Sequence, residues 1–317
     1  MADAPHLYNL TGRRRVWYVL STILILPGLL ALIIWHLNVG IDFRGGTVQQ
    51  VHYAAARPDV EQIRSEVAGT NTKGVSVQTS GEHDVLIRYP DQSGTTPRST
   101  GTAILNVLQK AHSGVGEVQF QSIGQSLAKS SINHAVEAVI LTSIALILFI
   151  AYSFRAVPRP ASSWRFGVTA ILALAHDILF VIGAFALIGH FFPTVEVDAL
   201  FITALLTILG FSVNDTIVVF DRIRENLRRS PGQTFEQVSN ASLNQTLVRS
   251  INTSSTVLIV LLALLLIGGE SIRNFILALT LGVAIGTYSS IFNATPLLVT
   301  WQNWVDAHAP VPATRKR

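Results

Sequence analysis

The sequence predicts a polytopic α-helical membrane protein: six transmembrane helices, with a small α+β domain inserted between the first and second. Three observations predict it. Of 317 residues, 49% are hydrophobic and only 13% charged, whereas a soluble domain carries about 25% charged residues. The apolar residues gather into six runs, each near the length of about 20 residues that a bilayer crossing requires. One polar stretch, between the first and second runs, alternates strand-like and helix-like patterns instead.

The predicted spans are residues 16–37, 135–154, 166–191, 197–220, 248–268 and 275–299. Arg13, Arg14 and Arg15 precede the first. That run is too long for a signal-peptide core, and no Ala-x-Ala-like cleavage site follows it, so it reads as an uncleaved first span. His134 and Glu137, three residues apart at the start of the second span, read as interfacial groups rather than relay groups. Trp17, Trp35, Trp164, Trp301 and Trp304 all fall near span ends, where the headgroup level favours the indole ring. Basic residues are biased between loops. Arg155, Arg159 and Arg165 lie in the second-to-third loop, Arg222, Arg224, Arg228 and Arg229 in the fourth-to-fifth, and Arg315, Lys316 and Arg317 in the tail. The third-to-fourth loop has none, and the fifth-to-sixth only Arg273. The positive-inside rule then puts both termini in the cytoplasm. The expected organisation is residues 1–37 as cytoplasmic N-terminus and first helix, 38–133 as an extracytoplasmic domain, 134–299 as helices two to six, and 300–317 as a cytoplasmic tail.

Within that domain, residues 48–53 alternate as a strand. Pro58 opens a helical pattern through Val60, Ile63 and Val67 that stops at Gly69. Residues 74–80 and 84–89 read as strands about a Ser80-Gly81 turn. Residues 100–112 form a second helix, carrying Ile104, Leu105 and Leu108, and 115–123 a last strand. The order is β-α-β-β-α-β, the ferredoxin-like arrangement.

Composition narrows the function. There is no cysteine, which excludes disulfides and thiolate metal sites. The net charge of +4 comes from arginines at span ends, so it points to topology and contact with membrane lipids, not to nucleic acid. No P-loop, dinucleotide fingerprint or His-Glu-x-x-His is present. Ser126 and Lys129 match Ser-x-x-Lys without any of its companion motifs. Neither an enzyme, a metal nor an organic cofactor is expected.

The residues that draw attention are charges inside apolar runs. Asp215 lies in the fourth run, about six residues from its inner end, roughly 9 Å deep at 1.5 Å per residue. A carboxylate at a helix centre costs about 2.5–3.5 kcal/mol on insertion scales, so an intramembrane acid is a functional candidate by default. Arg249, in the first turn of the fifth span, lies at a similar depth. If the two helices are neighbours, a carboxylate–guanidinium pair is available. Asn214, Thr216, Asn252 and Thr253 would line its surroundings, with Ser254, Ser255 and Thr256. The pair would serve proton movement or a static helix contact, and Arg249 alone would equally snorkel to the headgroups. His176 and Asp177 form a second intramembrane pair near the middle of the third span. Their side chains diverge around a helix, and they read either as a proton relay or as a helix–helix hydrogen bond. Gly282-x-x-x-Gly286 in the sixth span permits close approach to a helix of this chain or of a partner.

Two segments carry a resemblance. One is Gly40, Ile41, Asp42, Phe43, Arg44, Gly45, Gly46 and Thr47, directly after the first span. The other is VNDTIVVFDRIREN, from Val213 to Asn226, closing the fourth. With Ala175-His176-Asp177 and the segment from Arg249 to Thr253, they resemble the SecF members of the SecD/SecF family of bacterial protein translocases, in the resistance-nodulation-division superfamily, over nearly the whole chain. Arg44 stands where a small polar residue is more usual. The resemblance implies a subunit of the inner (plasma) membrane that pairs with SecD, works with the SecYEG channel on unfolded exported polypeptides, and draws energy from the proton gradient with no cofactor. It implies proton-coupling roles for Asp215, Arg249 and Asp177, and a hinge at Asp42, Phe43, Gly45 and Gly46 tying the outer domain to the first span. A small-molecule or lipid exporter half of the same superfamily and a passive scaffold of the translocon are the rival readings.

Overall fold

The structure, a computed structural model, describes residues 8–70, 72–91, 94–155, 162–230, 232–269 and 272–308. Arg159, Arg315, Lys316 and Arg317, used above for topology, lie outside them. In chain order the elements are α1 (Arg14–Trp35), α2 (Ile41–Arg44), β1 (Gly46–Tyr53), α3 (Val60–Ala68), β2 (Ser76–Ser80), β3 (Asp84–Tyr89), α4 (Pro97–Ala111) and β4 (Val115–Ile123). Then follow α5 (Gln125–Ser153), α6 (Ser163–Phe191), α7 (Ala199–Arg229), α8 (Phe235–Ile267), α9 (Arg273–Ser289), a π-helical turn (Ser290–Ala294) and α10 (Thr295–Ala307).

Among the described residues, six helical stretches are long and apolar enough to cross a membrane: α1, α5, α6, α7, α8 and the continuous run Arg273–Ala307. Several outlast the apolar segment that announced them. α8 begins at Phe235, well before the expected residue 248, because Thr234 and Gln237 form a capping box. Thr234 Oγ1 accepts from the Gln237 amide at 3.2 Å, and Gln237 Oε1 from the Thr234 amide at 3.0 Å. α7 continues past residue 220 to Arg229, laced by pairs between Arg224 and Asp221 (2.5 Å) and between Arg229 and Glu225 (2.9 Å). Hydropathy marks only the apolar part of a helix; caps and side-chain pairs mark its ends.

The chain divides into two compact units. The first comprises Met1–His36, Val139–Ile188 and Leu200–Arg317. α7 and the run Arg273–Ala307 are its most enclosed spans, α7 burying Phe201, Ala204, Leu205, Ile208, Ser212 and Asp215 among others. α1, α5 and α8 leave large apolar faces bare, which costs nothing where lipid tails or another apolar helix meets them. Two crossings depend on glycine. A Cβ on Gly28 of α1 would lie 2.8 Å from the backbone of Gly183 on α6, and the reverse holds equally. On α9, a Cβ at Gly282 would strike Ile208, and one at Gly286 would sit 3.3 Å from Ser212 Cβ. The Gly282-x-x-x-Gly286 motif thus packs α9 onto α7 of this same chain. Phe154, Phe166, Phe220 and Phe235 form a ring cluster, with Phe166 and Phe220 centroids 5.1 Å apart.

The second unit comprises Leu37–Ala138 and Gly189–Ala199. Its sheet has the order β2-β3-β1-β4 with every neighbouring pair antiparallel. That is the arrangement expected of β-α-β-β-α-β. Its core is built on Val51, Ile63, Val85, Ile87, Ile104 and Leu108, all fully enclosed. On β1 the enclosed side carries Thr47, Gln49, Val51 and Tyr53. Gln49 is tolerated there because its amide donates to the Gly101 carbonyl at 3.1 Å and to Glu117 Oε2 at 2.7 Å. α4 starts at Pro97, earlier than expected, since Thr96 and Ser99 cap each other with Pro97 in the first turn. The connector Gly189–Ala199, which the sequence offers only as a short loop, joins this unit through a parallel bridge. Gly40 N donates to Val197 O at 2.9 Å and Val197 N to Asn38 O at 2.8 Å.

Candidate polar centre of the helical unit

The polar residues of α7 that matter fall at Ser212, Asp215 and Thr216, spaced so that they share one face of the helix. That face meets α8 on one side and the α9–α10 run on the other. Asp215 is 8% exposed. Its Oδ1 accepts from Ser250 Oγ at 2.7 Å, and its Oδ2 is buried with no hydrogen-bond donor among the described residues. Thr216 Oγ1 and Ser290 Oγ lie 2.9 Å apart.

Asp177 on α6 is wholly enclosed and fully partnered. Its Oδ2 accepts from Ser212 Oγ at 2.5 Å and Ser289 Oγ at 2.7 Å, and its Oδ1 faces His176 Nδ1 at 3.0 Å. One carboxylate therefore joins α6, α7 and α9. The imidazole and carboxylate do touch, although neighbouring residues on a helix point in different directions and need not meet. His176 also forms part of an open groove of about 340 Å³ with Tyr18, Ser21, Thr22, Ile25, Leu26 and Leu29.

Two consecutive serines of the last span serve both acids' surroundings: Ser289 goes to Asp177, and Ser290 to Thr216 beside Asp215. They reach these positions because the Gly282 and Gly286 crossing brings α9 close to α7, and because a π-turn begins at Ser290. Single-turn π-helices recur at functional sites.

Asp215 and Arg249 make no direct ion pair, though the guanidinium is near enough to act on the carboxylate through charge. Ser250, not Arg249, points at Asp215, and consecutive residues on a helix stand about 100° apart. Arg249 therefore faces outward, together with Asn252, Thr253 and Thr256, while Asn214 is likewise exposed on α7. The structure brings together Asp177, His176, Asp215 and Thr216. It leaves Arg249, Asn214, Asn252 and Thr253 on the uncovered side. Ser212, Ser250, Ser289 and Ser290 escaped the sequence reading. Ser212 was accessible through its one-turn spacing from Asp215; the two C-terminal serines were not, because serine barely disturbs an apolar run. Among the described residues no three His, Asp or Glu side chains cluster as a metal would require.

Asp42 of the Asp-Phe-x-Gly-Gly turn lies at a different place. Its Oδ2 accepts from the backbone amide of Ala199 at 2.9 Å. Phe43 is half-buried. Gly45 and Gly46 hold φ of +74° and +115°, and a Cβ at Gly46 would sit 2.9 Å from Tyr89 O. Both glycines are required to turn the chain from α2 into β1.

Six apolar helices, a ferredoxin-like domain and two acids enclosed in the helical unit define a multi-pass membrane protein with a polar centre. The chain belongs to the SecD/SecF family: residues 103–304 match the model of the protein export membrane protein SecD/SecF, C-terminal. It is 43% identical over 301 residues to the protein translocase subunit SecF of Thermobaculum terrenum, covering 92% of each chain. It is 37% identical over 302 residues to that of Anaerolinea thermophila, covering 94% of this chain and 95% of the relative. Among solved structures it superposes on the crystal structure of SecDF, a translocon-associated membrane protein from Thermus thermophilus, with a TM-score of 0.82 and 31% identity. The match covers 96% of this chain and 40% of that one, so the chain spans less than half of the SecDF polypeptide. Its relatives are named as protein translocase subunits.

Proposed function

We propose that the chain is the SecF-type half of a two-part export machine in the bacterial inner membrane, and that it converts the proton gradient into work on exported polypeptides. Its other half would be a SecD-type chain, its channel SecYEG, and its termini cytoplasmic with the α/β domain outside. Three things support the pairing: the fused SecDF chain of which this one matches 40%, the bare faces of α1, α5 and α8, and the outward-facing polar row of Arg249, Asn252, Thr253 and Thr256. Such a row is costly against hydrocarbon and cheap against a second polar helix face.

The observation that carries the proton reading is the bare Oδ2 of Asp215. Asp177 has partners on both oxygens and holds three helices; Asp215 has one well-formed bond, from Ser250, with the Ser290 hydroxyl nearby and its enclosed Oδ2 making none. Asp215 is thus the acid free to take a proton, and Asp177, grouped with it on sequence grounds, is the anchor. With Asp215 charged, Ser250 holds α8 against α7. Neutralisation weakens that charge-assisted bond and releases α8 to shift together with Arg249. One charge crossing 100 mV supplies about 2.3 kcal/mol, enough to bias a two-state element by roughly fiftyfold. Asp215→Asn mimics the neutral form. In inverted membrane vesicles it is expected to abolish the proton-dependent part of export while leaving assembly intact. Full proton-dependent export by this variant would refute the reading and favour a passive scaffold.

A further inference from the structure

The Asp-Phe-x-Gly-Gly turn is remote in sequence from the acids and takes no part in their hydrogen bonding. Its aspartate nevertheless has a definite partner. Asp42 accepts from the amide of Ala199, 157 residues later in sequence, and Ala199 is the first residue of α7. The first amides of a helix lack intrahelical acceptors and carry its positive end. A capping residue ordinarily comes from the residue just before the helix. Here the α/β domain supplies an acceptor as well: Asp42 takes the amide of the helix's first residue.

Three further contacts bind the same connector. The backbone bridge at Val39 and Val197 has been described. Asn38 Nδ2 donates to the carbonyls of Pro193 at 2.8 Å and Val195 at 3.1 Å. Arg88 on β3 forms an ion pair with Glu196 in which the glutamate is 8% and the arginine 22% exposed. Burial, and after it the nearby guanidinium of Arg44, pulls Arg88 below the usual arginine range. Arg44, the residue that departs from the usual turn, lies near enough to repel Arg88 through charge, and Glu196 is the anion paired with Arg88. The glycines fit too. A Cβ on Gly40 would stand 3.2 Å from Glu196 Oε2, and the Gly45-Gly46 turn leads from Asp42 straight into β1, next to β3 and Arg88.

We propose that Asp42, Arg88 and Glu196 are positioning residues that fasten the connector Gly189–Ala199, whose last residue opens α7, to the α/β domain. α7 runs without interruption from Ala199 through Asp215 to Arg229, so a displacement along that helix reaches the connector Gly189–Ala199 by chain continuity. The delivery part rests on the reading of Asp215 as the proton-taking acid; the fastening part does not.

The test has two readouts on membranes carrying the full chain. The first is amide hydrogen exchange of the segment 189–199. Asp42→Ala is expected to speed exchange there about tenfold, the loss of a charge-assisted hydrogen bond. Asp42→Asn, whose amide oxygen still caps, is expected to stay within about threefold of the parent. Glu196→Gln tests the same fastening by removing charge at nearly constant shape, should Asp42→Ala accumulate poorly. The second readout is proton-dependent export in inverted vesicles, expected to fall at least fivefold with Asp42→Ala and to be rescued by Asp42→Asn. Unchanged exchange in both Asp42→Ala and Glu196→Gln overturns the fastening. Faster exchange with undiminished export overturns the delivery role. Asp215→Asn separates the two readings: it leaves exchange of 189–199 unaltered, so if it also leaves export unaltered the proton reading and delivery fall while the exchange result stands.

Discussion

The two acids differ in how many donors they hold, and that difference sets a measurable order of stabilities. Replacing Asp177 by Leu strands His176 Nδ1, Ser212 Oγ and Ser289 Oγ in a fully enclosed site. In water-soluble cores each stranded donor costs about 1–3 kcal/mol. Interhelical side-chain bonds in membrane proteins average about 0.6 and reach about 1.7 kcal/mol, so three of them sum to between about 2 and 5 kcal/mol. The structure narrows this. Ser289 Oγ already has the Gly286 carbonyl at 3.3 Å as a fallback, and the Ser212 hydroxyl can rotate to a carbonyl of its own helix. His176 Nδ1 has no such alternative. A loss of about 2–3 kcal/mol is expected for Asp177→Leu, about 1 for Asp177→Asn, and under about 0.5 for Asp215→Asn, which keeps its acceptor for Ser250. Equilibrium unfolding of the purified chain in mixed detergent micelles, titrated with sodium dodecyl sulfate and followed by circular dichroism, reads all three. Equal stability of Asp177→Leu and Asp215→Asn, within about 0.5 kcal/mol, would refute the division into anchor and switch.

Other expectations follow from the same geometry. Gly28→Ala is expected to cost about 1–3 kcal/mol by the same unfolding assay, because the new methyl would meet Gly183 backbone at 2.8 Å. Gly28→Ala with Gly183→Ala should cost clearly less than the two separately, since one separation of α1 from α6 makes room for both methyls; strict additivity would contradict the contact. In the α/β domain, Tyr53 and Tyr89 are each pushed up to about 12, first by burial and then by Glu66 and Glu117 respectively. A raised phenol pKa favours the fold fully below the unfolded value near 10, and that contribution is lost as pH rises from about 10 to about 12. Phenolate absorbance should therefore show these two rings ionising about 2 pH units later than an exposed tyrosine, with exchange in β1 and β3 accelerating over the same interval. Ionisation of all tyrosines near pH 10 would count against it.

Much of this architecture was written in the chain, and the exceptions have physical causes. Spans were legible because a bilayer demands one apolar stretch per crossing, and the ferredoxin-like order because Gly69, Gly81 and Gly114 punctuate it. Helix ends were less so: the capping box at Thr234 lies fourteen residues ahead of the hydropathy rise expected at 248, in sequence that reads as polar loop. At the polar centre the acids stood out by their cost. Their true partners did not, since Ser250 beside Arg249 is the quieter residue of the two and only helix phase decides which one faces α7. Asp42 showed its motif but not its partner, because a hydrogen bond spanning 157 residues leaves no local pattern.

The π-turn at Ser290–Ala294 carries one more consequence. It holds one residue more than a regular turn, so it acts as a dislocation in an otherwise periodic rod. Moving the dislocation by one residue along the Arg273–Ala307 run would rotate the side chains it passes by about 100° while leaving the ends of the run in place. Ser289 and Ser290 stand at its leading edge. The last span is therefore geared: its polar contacts can be exchanged by sliding a defect along the helix, with no change in the length of the helix or the places where it enters and leaves the bilayer.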